Sequence, residues 1–183
     1  MNDPGLSVRQ ARRGDAPGIG ALMSQGRPGI PTEGAAATTA LREVEARAGR
    51  FIEASLEQPD AALVMVLEDD LGRLVAWSRA RRYREPEEIL GPDAPPGWYL
   101  LGTNVDEARR RQGLGSWLVR ERMRWLSEHT NQVYYFTSED NTASIELHRA
   151  FGFLEVRRNL QLSEAVGGPP EGFILFRAPL PLI

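Results

Sequence analysis

Apolar residues recur along this chain at two different spacings, and the switches between them mark out its elements. Leu6–Gln10 reads as a short strand. Asp15 is placed to cap a helix that has Pro17 in its first turn and Ile19, Leu22 and Met23 on one face. Gly26–Ala37, rich in glycine, proline and small residues, reads as a loop. A helix follows from Thr38 to Glu57, with Leu41, Val44, Ala48, Phe51, Ile52 and Leu56 at helical spacing, and Pro59 stops it. Ala62–Glu68 is a near-continuous apolar run of strand length, and the turn Asp69-Asp70-Leu71-Gly72 makes Arg73–Arg82 its hairpin partner. Glu85–Gly97 carries four prolines and several acids and connects two strands of one sheet. Trp98–Val105 is a buried strand. Ser116–Glu128 sets Trp117, Leu118, Met123, Trp125 and Leu126 among charged residues, as an amphipathic helix does. Val133–Thr137 is a fifth strand and Asn141–Ala150 a short helix. Phe153–Leu162 and Gly172–Arg177 close the chain as strands around Gly167-Gly168-Pro169-Pro170. The order β-α-α-β-β-β-α-β-α-β-β predicts an α/β layered domain with a mixed sheet, and no internal repeat interrupts it.

Composition narrows the function classes. A chain of 183 residues with 42% hydrophobic and 26% charged content is expected to fold as one soluble domain, residues 1–183. No cysteine is present, so disulfides, thiolate metal sites and cysteine nucleophiles are excluded. Two histidines, His129 and His148, are too few for most histidine-built metal sites, and no metal is expected. The opening Met1-Asn2-Asp3-Pro4-Gly5 is polar with no apolar run behind it, and no segment reaches membrane-spanning length. A cytoplasmic protein without a membrane partner is the expectation. A net charge of −3 argues against a nucleic-acid partner. All 22 basic residues are arginine; Arg79–Arg84 reads as a solvated strand end, whereas Arg109–Arg111 adjoins a more specific feature.

That feature is Arg110-Arg111-Gln112-Gly113-Leu114-Gly115-Ser116, which joins the Trp98–Val105 strand to the amphipathic helix. The first turn of a helix carries N–H groups without intrahelical partners, and the aligned peptide dipoles add partial positive charge there. A pyrophosphate can accept from those donors. Gly113 and Gly115 let the backbone approach closely, and Arg110 and Arg111 add forked cationic donors. The spacing is neither the dinucleotide fingerprint nor the Walker loop. It resembles the acyl-CoA loop of the GNAT family of N-acetyltransferases, Arg/Gln-x-x-Gly-x-Gly/Ala.

A second segment, Asn141 to Phe153, resembles another signature of that family: Asn141, Ser144, Leu147, Gly152 and Phe153 fall on its positions. His148 stands where the family most often has tyrosine. Asn141 suits a helix cap, Asn141, Ser144 and His148 share one helical face, and Gly152 suits the helix end. His129 reads as a dipole partner at the end of the preceding helix.

The resemblance implies a GNAT-type acyl-CoA N-acyltransferase fold, with a mixed sheet of six to seven strands flanked by helices. It also implies transfer of an acetyl group from acetyl-CoA, as co-substrate, to an amine. In the family two parallel strands splay around the thioester; here they would be Trp98–Val105 and Val133–Thr137. Asn104 and Val105 would then bind the pantetheine and polarise the thioester carbonyl. Arg110, Arg111, Gln112, Gly113, Leu114, Gly115 and Ser116 would hold the pyrophosphate, with Asn141 and Ser144 completing the cofactor site. His148 is the catalytic candidate, either as the acid for the departing thiolate or as a hydrogen-bond partner of the sulfur. The general base is open among Glu139, Asp140, Tyr99, Tyr135 and none at all, since orientation by itself accelerates a neutral amine. Three functions stand side by side: acetylation of a small amine, acetylation of a protein or peptide, and non-catalytic acyl-CoA binding. Substrate choice is expected in Gly26–Ala37, Glu85–Gly97 and Ser163–Gly172. The acids Glu85, Glu87, Glu88 and Asp93 read first as solvated loop acids and second as a lure for a cationic amine, and the family often forms homodimers.

Overall fold

The computed structural model describes residues 5–25, 34–85, 90–91, 94–160 and 172–181. Seven strands are hydrogen-bonded in the order β1-β2-β3-β4-β5-β7-β6. They are β1 (Leu6–Gln10), β2 (Ala62–Asp69), β3 (Leu74–Tyr83), β4 (Gly97–Val105), β5 (Gln132–Ser138), β6 (Leu154–Leu160) and β7 (Phe173–Pro179). Among the described residues four α-helices accompany them: α1 (Ala16–Ser24), α2 (Gly34–Glu57), α3 (Leu114–Leu126) and α4 (Thr142–Arg149). The expected α/β architecture with a mixed sheet is the one found. Strands β4 and β5 run parallel, Tyr99 beside Tyr134 and Leu100 beside Tyr135, whereas β1–β2, β5–β7 and β6–β7 run antiparallel.

The chain forms two compact units. In the first, residues 1–79 and 102–118, β1 and β2 pair antiparallel from Leu6–Asp69 to Gln10–Met65. Ile19, Leu22 and Met23 of α1 meet Val44, Ala48 and Ile52 of α2 over Val64, Val66 and Trp77. The three α2 residues lie four apart, so one helical face carries the contact. Burying a side chain the size of Ile52 contributes about 1.5–3 kcal/mol. Helix α2 starts at Gly34, four residues before the periodic pattern begins, because Gly34-Ala35-Ala36-Ala37 has helix-compatible alanines although it lacks an apolar stripe. Leu41 and Leu56, placed on the apolar face by spacing, are 37% and 44% exposed, since the packed contact ends before the helix does.

Asp15 corrects another expectation. Its carboxylate makes no cap bond to α1. It accepts instead from both terminal nitrogens of Arg9, at 2.6 and 2.9 Å, and from the Arg12 amide at 2.8 Å, across the short 3-10 turn Arg13–Asp15. Arg9 also binds Glu68 of the neighbouring strand, so one guanidinium ties β1, β2 and the entry to α1. Burial works to raise the Asp15 pKa, but Arg9 and the Arg12 amide together hold it below the usual carboxylate value.

In the second unit, residues 80–101 and 119–183, β5 and β7 pair antiparallel from Gln132–Pro179 to Ser138–Phe173, and β6 pairs with β7 through two irregularities. An aromatic layer of Tyr83, Tyr99, Tyr134, Phe136 and Phe173 fills one side. Arg81 and Arg82, at the end of β3, are exposed as the basic run predicted. His129 bonds the Trp125 carbonyl at 2.9 Å and stacks on that ring, which agrees with a helix-end role. Among the described residues no helix is long and apolar enough to cross a membrane, and no group of three or more metal-ligating side chains occurs. Residues 26–33, 86–89, 92–93 and 161–171 lie outside the described residues. Most of the expected substrate-determining segments fall there, including Glu87, Glu88, Asp93 and Gly167-Gly168-Pro169-Pro170.

Candidate active site

Two groups of residues singled out by sequence are each assembled locally, one in each unit. In the first unit β4 runs out through Asn104 and Val105, both half-buried, into the 3-10 turn Glu107–Arg109. The Asp106 side chain caps that turn by accepting from the Ala108 amide at 3.0 Å, while the Asp106 amide donates to Val75 of β3. Chain direction then reverses through two left-handed residues, Arg111 at φ 65° and Gly113 at φ 82°. A left-handed arginine is strained, and such strain is retained where surrounding structure enforces it. At Gly113 a Cβ would meet nothing within 4 Å, so glycine serves the backbone conformation and leaves open space above it.

Helix α3 begins immediately after. Its first ladder bond runs from the Trp117 amide to the Gly113 carbonyl at 3.0 Å. The amides of Leu114, Gly115 and Ser116 therefore precede the ladder, at the positive end of a 13-residue helix. The helix starts two residues earlier than its apolar pattern, which places Gly115 and Ser116 inside the first turn. Arg110, Arg111, Gln112 and Gly113 are exposed. Arg110 reaches Glu107 at 3.3 Å and the Val105 carbonyl at 3.4 Å, while Gln112 reaches the Ala108 carbonyl at 3.4 Å. Exposed donors, a reversing backbone and a helix start make a site suited to a phosphate-bearing anion.

Upstream in β4, Gly102 has φ 43°, and a Cβ there would stand 3.3 Å from the Trp77 ring. Only glycine fits both the left-handed turn and that approach. Gly102 is the exposed residue at which a buried run, Trp98–Leu101, gives way to half-buried Thr103, Asn104 and Val105.

In the second unit Asn141 caps α4, its side-chain oxygen accepting from the Ser144 amide at 3.2 Å. One turn on, His148 lies 4% exposed, with Nδ1 2.8 Å from the Ser144 carbonyl and 3.5 Å from the Ser144 hydroxyl. A carbonyl only accepts, so the short contact assigns the imidazole proton to Nδ1 and leaves a lone pair on Nε2. Burial, with a further contribution from Arg122, lowers the His148 pKa to about 4, against partial support from the Ser144 carbonyl. The ring is thus neutral near pH 7, with no second proton to give. Of the two roles open to His148 by sequence, the acid is the one this environment opposes.

The His148 ring stacks on Tyr135 and meets Phe153 edge-on, and Tyr135 stacks in turn on Phe176. Among the described residues, His148 Nε2 is buried without a hydrogen-bond partner, and the buried Tyr135 hydroxyl has the Ser144 side chain beside it. Burial raises the Tyr135 pKa to about 12, with Ser144 and Arg149 opposing the shift, so this phenol keeps its proton. Tyr99 is committed otherwise: its hydroxyl donates to the Pro95 carbonyl at 2.6 Å, and burial pushes its pKa upward. Glu139 and Asp140 are exposed, with Glu139 3.8 Å from Arg158.

Arg122 was not singled out by sequence. It is fully buried on the apolar side of α3, it donates to the Leu101 carbonyl at 3.4 Å, and burial lowers its pKa to about 9. The available signal was its spacing, four residues from both Leu118 and Leu126, which puts a charge on the core stripe.

Comparison with known proteins adds a further line of evidence. The sequence profile of the acetyltransferase (GNAT) family matches residues 34–153. A probable N-acetyltransferase, HLS1-like, of Arabidopsis thaliana is 39% identical over 61 residues, 32% of this chain; the match spans 15% of that protein's length. The ribosomal-protein-alanine N-acetyltransferase of Brucella melitensis superposes with a TM-score of 0.69 at 22% identity, covering 95% of this chain and 99% of its own. A GNAT superfamily phosphinothricin acetyltransferase of Sinorhizobium meliloti, solved in complex with acetyl-CoA, gives 0.63 at 18% identity, covering 96% and 89%. At such identities the two structures establish a shared fold.

Proposed function

The chain belongs to the acetyltransferase (GNAT) family, and from that premise we propose that it transfers an acetyl group from acetyl-CoA to the primary amine of a small molecule. The observation that carries the donor half is the Arg110–Ser116 loop, where left-handed Gly113 leaves open space beside the unladdered amides of α3. That loop fits a pyrophosphate: amides of Leu114, Gly115 and Ser116 donate to it, and Arg110 and Arg111 neutralise it. Gln112 and Gly113 complete the turn.

Acetyl-CoA supplies an activated thioester. Backbone groups of Asn104 and Val105 bind its pantetheine and orient the carbonyl, while Asn141 holds the start of α4 and Ser144 fixes the imidazole through its carbonyl. His148, neutral, offers Nε2 as an acceptor near the sulfur. Neither Tyr99 nor Tyr135 is a base near neutral pH, and the amine enters unprotonated, with orientation providing the acceleration.

Support for a small acceptor comes from the likeness to the phosphinothricin acetyltransferase. The likeness to the ribosomal-protein-alanine enzyme supports a second reading, acetylation of a protein N-terminus. One acetyltransferase domain, a cytoplasmic location and a homodimer complete the proposal. A thiol-release screen with acetyl-CoA tests the acceptor. Turnover with small amines and none with peptides is expected; the reverse pattern selects the second reading, and acetyl-CoA binding without turnover on any amine selects a non-catalytic role.

A further inference from the structure

Helix α3 carries a cation where its apolar stripe would take a hydrocarbon. Arg122 stands four residues from both Leu118 and Leu126, and all three side chains are fully buried. Burial pulls the guanidinium down to about 9, so it stays charged at neutral pH at a large cost in desolvation. An apolar side chain of that volume would fill the space without the cost. What the cation adds is a donor to the Leu101 carbonyl, at 3.4 Å.

That carbonyl stands where β4 parts from β5. Their parallel register covers Tyr99 and Leu100, although β4 runs on to Val105 and β5 to Ser138. Strand β5 goes on pairing with β7 as far as Ser138, opposite Phe173. Beyond Leu100 the β4 backbone therefore needs partners other than β5, because a buried carbonyl is costly to leave unpaired. Leu101 is the first residue past the register, and Arg122 serves it. The next residue, Gly102, has φ 43°. The Leu101 carbonyl and the Gly102 nitrogen share one rigid peptide plane, so fixing the oxygen fixes the plane from which the left-handed turn starts.

We propose that Arg122 is a positioning residue of the acetyl transfer: by holding the Leu101 carbonyl where β4 leaves β5, it sets the turn at Gly102 and the direction in which Asn104 and Val105 present their backbone to the pantetheine. The inference rests on the acetyl-CoA reading above. Being fully buried, the guanidinium acts through the backbone and not on the ligand. Two points on one helix then serve one molecule. Leu114, Gly115 and Ser116 at the start of α3 meet the pyrophosphate, and Arg122, about two turns on, sets the strand that meets the pantetheine.

Calorimetric titration of the full chain with acetyl-CoA and with phosphoadenosine diphosphate, repeated on Arg122→Met, tests this. The second ligand keeps the pyrophosphate of coenzyme A and lacks its pantetheine. The variant is expected to bind acetyl-CoA roughly tenfold more weakly and the nucleotide with unchanged affinity. It should stay folded, since a buried cation gives way to an apolar side chain of similar volume. Equal weakening toward both ligands marks a general structural role and overturns the inference, and so does unchanged affinity for both. Should the variant fail to fold, the Arg122 side-chain resonances of the labelled unmutated protein decide. They must move with acetyl-CoA and stay in place with the nucleotide; movement with both, or with neither, overturns the inference. Absence of acetyl-CoA binding to the unmutated protein overturns the acetyl-CoA reading itself, and the inference with it.

Discussion

The His148 imidazole lies flat on the Tyr135 phenol, their centroids 3.8 Å apart and their planes 10° from parallel. The stack removes both rings from water, and the Ser144 carbonyl fixes which imidazole nitrogen holds the proton. A residue for which the sequence leaves an acid and a hydrogen-bond partner both open is thereby a neutral acceptor, and that has measurable consequences.

Turnover should not decline between pH 6 and pH 8 through loss of a proton from His148. An imidazolium acid would lose activity as pH rises through its pKa, but a ring with a pKa of about 4 is already neutral across this range. A pH profile of kcat with saturating amine checks this; a falling limb centred near 6.5 that disappears in His148→Gln would restore the acid role.

Stability should fall on acidification through the same group. The unfolded imidazole titrates near about 6.5 and the folded one at about 4, so the unfolded chain binds more protons between those values. The stabilising effect is fully present above about pH 6.5, declines as pH drops, and is exhausted below about pH 4. Up to about 3 kcal/mol is at stake across this window. Urea unfolding at a series of pH values should show the slope in the unmutated protein and a shallower one in His148→Gln.

Gly113→Glu is expected to abolish acetyl-CoA binding while the protein stays folded. The left-handed backbone makes any L side chain cost about 1–2 kcal/mol. Apart from its chain neighbours nothing in the protein lies within 4 Å of the new Cβ, so the carboxylate would stand in the space proposed for the anion and repel it. Calorimetry with acetyl-CoA and a thermal melt read the two effects separately.

Asp15→Ala should destabilise the protein by about 2–3 kcal/mol, because a largely buried carboxylate leaves Arg9 and the Arg12 amide short of an acceptor. Glu68 still holds Arg9, which keeps the loss below that of an isolated buried pair. Acetyl-CoA affinity should not change. Urea titration gives the first quantity and calorimetry the second.

Much of this protein is legible along the chain. The hairpin turn at Asp69–Gly72, the Asn141 cap, the left-handed Gly152 and the turn from Arg110 into α3 stand where local pattern puts them. Other features are not legible. Asp15 looks like a cap and binds Arg9; Gly102 looks like any strand glycine, and its φ of 43° and its approach to Trp77 depend on β3.

The sequence by itself determined the element order, the family and the turn that leads into α3, because turns, caps and helix starts are made by residues within about four positions of one another. Tertiary structure decided the ionisation of His148, the burial of the Tyr135 hydroxyl and the partners of Asp15. Those depend on desolvation and on groups brought together from distant strands and helices, and no local spacing encodes how much water a folded core excludes.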